Sequence, residues 1–347
     1  MNDATTKKLT SESEGPSRRD FMTRAGLLAG GLALLSVPAL RSQPTAEAAV
    51  NTRAYVAGSY ALELDGQFVD FLRSTEGGFP RGEVVTTQMG PGKIPKKSLG
   101  QVKYQDIVIQ CDPVMPKPLF DWIAAGLTMN DIRKTGAIIT ADFNRAEQSR
   151  LQFNNALITE FSIPACDAAS KDPGYLIVKF SPEVTTPLAG KGSMLPAVGA
   201  KQKSWATSNF RLTIPGLDCS RVSRIEALAI KQTIAQDQFG QARVAQKEPA
   251  KLEFPNLVIT LAEASAGTFY AWFQSMVVKG ETGENNEKFG TLELLDPTLQ
   301  GTLLTINFHH LGIFGFSPEK SDSNADTIRR VKVEMYCEQI TIGTMKM

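Results

Sequence analysis

The sequence contains two similar copies of one long segment, and this repeat constrains the fold more than any other feature. Residues 60–66 (YALELDG) match residues 210–216 (FRLTIPG), and residues 102–109 match residues 252–259 at the same offset of about 150 residues. Further along the chain the offset drifts by a few residues. A repeat of this length is a whole domain rather than one unit of a solenoid. Two similar domains in one chain favour a symmetric assembly.

The chain length allows a leader followed by two domains. We predict a leader at residues 1–48, a first domain at 55–186, a linker at 187–204 and a second domain at 205–347. The predicted linker is rich in glycine, proline, lysine and serine. The leader holds six of the 37 basic and five of the 36 acidic side chains, which leaves 31 of each. A mature protein this neutral has no electrostatic footprint for nucleic acid or an anionic membrane.

The leader has the three parts of a twin-arginine export signal in the right order. Arg18 and Arg19 are followed by Phe21, then by a mildly apolar segment at residues 25–40, then by a small-x-small cleavage site at Ala46 and Ala48. The alternative, a chance arginine pair before a buried helix, does not explain this order. We expect an exported protein, periplasmic or extracellular, with no transmembrane anchor after cleavage.

The mature chain shows mainly the period-two pattern of half-buried strands. Tyr60, Leu62 and Leu64 alternate with Ala61 and Glu63, for example. The predicted strands are residues 60–64, 68–72, 102–110, 137–143, 151–161 and 175–180 in the first copy, and 210–214, 224–233, 252–261, 291–295, 302–311 and 328–342 in the second. The prediction is a mainly β protein with two tandem antiparallel β-sandwich or barrel domains, each with one packed α-helix.

The predicted helix of each copy carries a tryptophan. Pro116 and Pro118 open the first helix, because proline is tolerated in a first turn. Trp122 lies at helical spacing with Leu119 and Ile123, and Trp272 lies at the same spacing with Phe269 and Phe273. A tryptophan pair could stack on a ligand, but these apolar neighbours favour a role as core anchors for both side chains.

Residues 76–100 form a glycine-rich and proline-rich segment that we predict to be a long irregular loop or a loose hairpin. The segment includes Lys93, Lys96 and Lys97, and the second copy has no glycine-rich segment of the same kind. Loops of this length inside compact domains are usually functional.

Residues that carry chemistry are sparse, and we predict no catalytic, cofactor-binding or metal site. His309 and His310 are adjacent, so on a strand they face opposite sides and cannot easily share a metal ion. Asp142 and Asp296 occupy equivalent turn positions, which indicates a structural role. The four cysteines have no metal-binding spacing. An oxidising periplasm permits disulfides between them, although isolated buried thiols are slightly favoured.

With these segments placed, the first copy resembles the phage tail tube protein family, which includes the tubes of contractile tails and of extracellular injection systems. The resemblance covers roughly residues 60–183. Six segments carry it in order: residues 60–66, 76–79, 100–109, 119–123, 136–142 and 153–156. The resemblance lies in the order and spacing of these segments rather than in any one of them. The second copy resembles the family mostly through the first.

The resemblance implies an antiparallel β-sandwich or barrel whose subunits close into hexameric rings, which stack into a hollow tube. The segment with Phe79, Lys93, Lys96 and Lys97 would then be an assembly loop, although a mobile surface loop also fits. Deleting residues 80–98 should abolish higher assembly and leave the fold intact. Other tail or injection-system components are possible partners.

Two tandem copies alter the stoichiometry, because three chains could then form a ring of six domains. Family members are mostly single domains without an export signal, so this chain departs from the family twice. Two alternatives stay open. One is a monomeric periplasmic binding or adaptor module that has kept the tube fold. The other, a cofactor enzyme, is disfavoured by the lack of ligand clusters.

Overall fold

The computed structural model describes residues 58–88, 95–130, 132–197, 205–237, 246–320 and 328–343. The chain divides after Ala54, and residues 55–347 form one compact unit. We call residues 58–197 the N-terminal half and residues 205–343 the C-terminal half. The leader lies outside the described residues. Among those that are described, no helix is both long and apolar enough to cross a membrane.

The N-terminal half is built from strands around one helix, α1. Its elements are β1 (Ser59–Leu64), β2 (Gln67–Leu72), β3 (Ser74–Gly77), β4 (Pro80–Gln88), β5 (Pro95–Tyr104), β6 (Ile107–Cys111), α1 (Lys117–Gly126), β7 (Lys134–Ala141), β8 (Glu147–Ile163), β9 (Cys166–Asp167), β10 (Leu176–Ser181) and β11 (Val184–Ala189).

The C-terminal half is also built from strands around one short helix, α2, which continues into a π-helical turn at Gln274–Val278. Its strands and helix are β12 (Phe210–Thr213), β13 (Val222–Ile225), β14 (Leu228–Asp237), β15 (Gln246–Glu253), β16 (Leu257–Ala262), α2 (Gly267–Phe273), β17 (Lys288–Leu295), β18 (Thr302–Pro318) and β19 (Arg330–Gly343). The prediction of a mainly β fold is confirmed.

The strand order in the two halves is the same. One sheet runs β2-β1-β7-β8-β10-β6-β3, and the other runs β12-β17-β18-β19-β16-β13 before ending on β9. Each half therefore has the same six strands in the same order. In that order, the strands of the N-terminal half are β1, β7, β8, β10, β6 and β3, and those of the C-terminal half are β12, β17, β18, β19, β16 and β13. The strand pairs within these two sheets are antiparallel. β7 with β8, β17 with β18 and β18 with β19 are consecutive in the chain, whereas β1 with β7 and β12 with β17 are joined through other elements.

The two halves also share strands. β9 of the N-terminal half pairs with β13, and β14 of the C-terminal half pairs with β8. The cores are continuous as well, because buried residues of both halves belong to one hydrophobic cluster. The division into two separate domains stays a prediction, and the residues between 187 and 189 lie in β11 rather than in a linker.

Each helix covers one sheet and fixes its tryptophan in the core. Trp122 is 1% exposed and Trp272 is 7% exposed. The Nε1 atom of Trp122 donates to the Ile132 carbonyl at 2.9 Å, and that of Trp272 donates to the Asn286 carbonyl at 2.8 Å. Since both indole N–H groups are hydrogen bonded, neither tryptophan carries a desolvation cost for its polar atom.

Three predicted strands are each broken in two. The predicted strand at 102–110 ends as β5 at Tyr104 and resumes as β6, because the chain turns from a hairpin into the sheet at Asp106, whose carbonyl accepts from Gly78. The predicted strand at 224–233 is likewise split into β13 and β14. The strand predicted at 252–261 is interrupted around Pro255, where proline lacks the donor that a central ladder needs.

Candidate assembly surface

β4 and β5 form a two-stranded hairpin that belongs to neither large sheet. We call it the first hairpin. It corresponds to the segment predicted as a loop or loose hairpin, and its described side chains other than Tyr104 are exposed, including Val84 at 59% and Leu99 at 79%. A two-stranded hairpin is marginally stable in water unless it packs on something else. Exposed aliphatic side chains on such an edge mark a surface that favours a partner.

β14 and β15 form a second hairpin at the equivalent position of the C-terminal half. The register of the first hairpin shifts between Gly82 and Val84, and that of the second hairpin shifts between Thr233 and Ile234. The offset of 150 residues that aligns Tyr60 with Phe210 also relates the two hairpins. Adding it to the residue pairs of the first hairpin from residue 81 to residue 87 gives pairs of the second hairpin, before and after the register shift. The second copy has no glycine-rich segment of the same kind, since the only glycine in residues 226–250 is Gly240, but the hairpin itself is present in both halves.

The second hairpin has the partner that the first hairpin lacks within the described chain. β14 adds to the edge of β8, where Leu228 lies opposite Ile163 and Ile230 lies opposite Phe161. These four side chains are each at most 2% exposed. Burial of four apolar side chains contributes several kcal/mol, at about 25 cal/mol per Å² of apolar area.

Lys247 of the second hairpin is buried at this junction. Its Nζ atom donates to the Ser181 hydroxyl at 2.8 Å and to the Pro182 carbonyl at 2.8 Å, and its backbone N–H donates to Glu183 at 3.2 Å. Burial lowers the pKa of Lys247, while the charges of Asp106 and Glu183 oppose that shift. A buried ammonium of this kind is stable only where acceptors and opposite charge surround it.

Glu183 is held in place by the N-terminal half itself. One carboxylate oxygen accepts from the Arg133 guanidinium at 2.8 Å, and the other accepts from the Asn155 side chain at 2.8 Å. The carboxylate that accepts the Lys247 backbone N–H is therefore oriented by side chains of the N-terminal half. Preoriented acceptors reduce the entropy that the contact costs.

The C-terminal half has an edge equivalent to the one that β14 covers. Asn155 in β8 and His310 in β18 both have left-handed backbone, with φ of 50° and 54°. If these two residues are equivalent, residues 160–163 of β8 correspond to residues 315–318 of β18. Within the described chain, residues 315–318 pair on one side only, with β19. Phe316 is half-buried and Pro318 is exposed, whereas their counterparts are buried.

An acidic cluster lies beside this edge, where the lysine-binding groups lie in the N-terminal half. The pairing of β10 with β8 and of β19 with β18 makes Ser181 equivalent to Tyr336 and Glu183 equivalent to Glu338. The Tyr336 hydroxyl donates to Glu287 at 2.8 Å, and Glu287 also contacts the His310 ring at 2.8 Å. Burial and the Glu287 contact raise the pKa of Tyr336 to about 12.

The predicted site residues fall into three groups. Phe79, Lys96 and Lys97 lie in or beside the first hairpin with exposed side chains. Trp122 and Trp272 are buried in the cores. Those that lie outside the described residues are Lys93 and the leader residues Arg18, Arg19, Phe21, Ala46 and Ala48. Sequence reasoning missed Lys247, although the repeat offset that links it to Lys97 was the signal that could have found it.

Among the described residues, no three His, Cys, Asp or Glu side chains form a group that could hold a metal ion. The ring of His309 contacts the Thr341 hydroxyl at 3.0 Å, so the adjacent histidines have separate partners. Asp142 and Asp296 each accept backbone N–H groups of their own turn, which is the shared structural role expected of them.

All four cysteines are free thiols in the structure. Cys111, Cys166 and Cys337 are buried, and Cys219 is half-buried. Burial raises the pKa of Cys111 and Cys166 to about 12 and that of Cys337 to about 11. A thiol that stays protonated is a poor nucleophile, which fits a role in packing.

No protein-family model and no curated protein matches this chain. Similar solved structures include a chain of the anti-feeding prophage baseplate, with 14% identity and a TM-score of 0.34, covering 45% of this chain and 100% of the other. A chain of the PVC extracellular contractile injection system sheath-tube complex has 21% identity and a TM-score of 0.35, covering 43% and 99%. Hcp1 from Flavobacterium johnsoniae has 13% identity and a TM-score of 0.24, covering 39% and 94%. At these values the likeness is distant and establishes no function.

Proposed function

We propose that this protein is a structural subunit, a tail-tube-like protein that is exported and self-assembles into rings or a hollow tube. Its role is to present sheet edges to further copies of itself. Three chains, each with two tandem halves, would give a ring of pseudo-six-fold appearance.

The observation that carries this proposal is the pairing of β14 with β8. It joins two halves of the same strand order side by side through strand addition within one chain. The equivalent hairpin at β4 and β5 and the equivalent edge of β18 are both left without such pairing in the described chain. A chain with one hairpin and one edge unused can repeat the same contact with its neighbours.

The sequence resemblance to tail tube proteins supports the same role from independent residues, namely the six ordered segments of the N-terminal half. Export by the twin-arginine route is supported by Arg18, Arg19 and Phe21 and by the cleavage site that follows. That route carries folded proteins, so each chain would fold before it assembles outside the cytoplasmic membrane.

Light scattering coupled to size exclusion, with negative-stain imaging of the mature chain from Ala49, tests the proposal. We expect rings or tubes with three chains in each layer. A monomer that persists at high concentration would overturn self-assembly and favour the monomeric adaptor instead. Cell fractionation of the full chain with both signal arginines replaced by lysine tests export, and unchanged export would contradict the signal.

A further inference from the structure

Lys97 of the first hairpin is the counterpart of the buried Lys247. Lys97 pairs with Thr86 and Lys247 pairs with Gln236, at the same place after the bulge of each hairpin. Lys247 is 6% exposed, whereas Lys97 is exposed. Each hairpin therefore has a lysine at the same position. The lysine of the second hairpin is buried among acceptors, and that of the first hairpin is exposed.

We propose that the first hairpin of one chain docks on the C-terminal half of a second copy, with residues 79–81 against residues 315–317 of β18 and Lys97 against Glu338, Glu287 and Tyr336. This inference rests on the proposed function, and it names the surfaces that make the contact. The occupant is a second copy of this chain because the second hairpin already occupies the equivalent edge of the N-terminal half.

The register of the proposed contact between chains follows from the pairing of β14 with β8 within one chain. Ala229 lies opposite Ser162 and Lys231 lies opposite Glu160. By equivalence, Phe79 of one chain lies opposite Ser317 of the next. The Phe79 carbonyl accepts from Gln105 within its own hairpin, so the Phe79–Ser317 pair is not hydrogen bonded across the interface.

Pro80 makes the interchain contact weaker than the intrachain one. Because the backbone groups of Phe79 point toward β5, those of Pro80 point outward to the docking edge. Pro80 stands where the second hairpin has Ile230, and proline has no N–H to donate. Proline on an exposed edge also limits unwanted pairing, so assembly depends more on side chains such as Lys97.

Charge favours this partner surface. In the N-terminal half the lysine meets Asp106 and Glu183, and in the C-terminal half the exposed Glu338 lies at the position of Glu183. Glu287 lines a shallow cleft there with Glu284, Lys288 and the two histidines. Together with Glu338, this surface carries three carboxylates against Lys288 and the His310 ring, so docking would place the Lys97 ammonium among opposite charges.

The contact is heterologous, since the donor hairpin lies in one half and the acceptor edge lies in the other. Each chain therefore offers one donor and one acceptor. Contacts of this kind continue head to tail until the ring closes. Closure leaves no unpaired hairpin and no open β18 edge in the assembly.

Charge reversal at the mature chain tests the proposal by mass photometry. We expect Lys97→Glu to weaken association by about tenfold or more, because it places like charges together. Lys96→Glu is the matched control: neighbouring residues on a strand face opposite sides, so the same charge change there should leave association nearly unchanged. Adding Glu338→Lys to the Lys97→Glu chain should restore association.

The outcomes separate this inference from the proposed function. If the unaltered chain is monomeric, both are wrong. If the unaltered chain assembles and Lys97→Glu assembles equally well, the proposed docking site is wrong although self-assembly stands. If Lys97→Glu and Lys96→Glu weaken assembly equally, or Glu338→Lys restores nothing, a specific contact between Lys97 and this cluster is also overturned.

Discussion

The Nζ atom of Lys247 lies 2.8 Å from the Oγ atom of Ser181, and this contact joins the second hairpin to the sheet of the N-terminal half. Ser181 in turn donates to Asp106. The ammonium therefore completes a chain of polar groups that begins within the N-terminal half. Its presence makes the pairing of β14 with β8 specific for the one register that brings Lys247 to its acceptors.

Lys247→Ala should lower the free energy of unfolding by about 3 kcal/mol, because it removes the ammonium from the buried Ser181 hydroxyl and from the Pro182 carbonyl and leaves a cavity at the junction. Lys251→Ala is the control, since Lys251 lies on the same strand in an exposed pair with Glu253 and should cost less than about 1 kcal/mol. Urea unfolding of both variants measures the difference. Equal destabilisation would contradict the role given to Lys247.

Trp122→Phe and Trp272→Phe should each destabilise the protein by about 1–3 kcal/mol, because each removes the donor to a carbonyl and shrinks a core side chain. The larger effect is expected for Trp122, which is more buried and packs 5.2 Å from the Phe180 ring centroid. Thermal unfolding followed by circular dichroism provides the comparison. A negligible effect at both positions would show that neither indole anchors its core.

The pKa of His310 should lie above 6.5, because its ring contacts the Glu287 carboxylate. Glu287→Gln should return that pKa toward the ordinary value, as measured by NMR titration of the ring protons. Since the folded pKa is raised, the stabilisation from this pair is full below pH 6.5 and is lost as the pH rises through the folded pKa. A His310 pKa unaffected by Glu287→Gln would rule out this partner.

The thiols should react with Ellman's reagent in a fixed order. Cys219 is the least buried of the four and should react first in the folded protein, while Cys111, Cys166 and Cys337 should react only as the protein unfolds. Cys219→Ser should remove the early phase and leave the later phases. Fewer than four thiols in the denatured, unreduced protein exported from cells would instead reveal a disulfide.

Much of the framework could be predicted from sequence because the strands alternate cleanly. The strands from Ser59 and from Lys134, and the helix that begins after Pro116, lie within a few residues of their predicted bounds. Alternation reports which face of a strand is buried, and that is a local property of the sequence. It does not report which strand lies next to which.

The assembly surface could be predicted only in part for the same reason. The segment around Lys97 was singled out by its glycines and lysines, but its hairpin form depends on pairing across a turn. The second hairpin segment has a single glycine, Gly240, so its composition gives no comparable signal. Lys247 is buried only because β14 pairs with β8, which is distant in the sequence. No local sequence pattern predicts such a contact.

Disulfide trapping between two copies tests the central claim most directly. A chain with Phe79→Cys is mixed with a chain carrying Ser317→Cys, because these positions form a non-hydrogen-bonded pair whose side chains are close enough to bridge. A chain with Gln300→Cys, exposed near the other end of β18, replaces the Ser317 variant as the control. The account predicts a mixed disulfide dimer with Ser317→Cys and none with Gln300→Cys; equal trapping by both partners, or by neither, would contradict it.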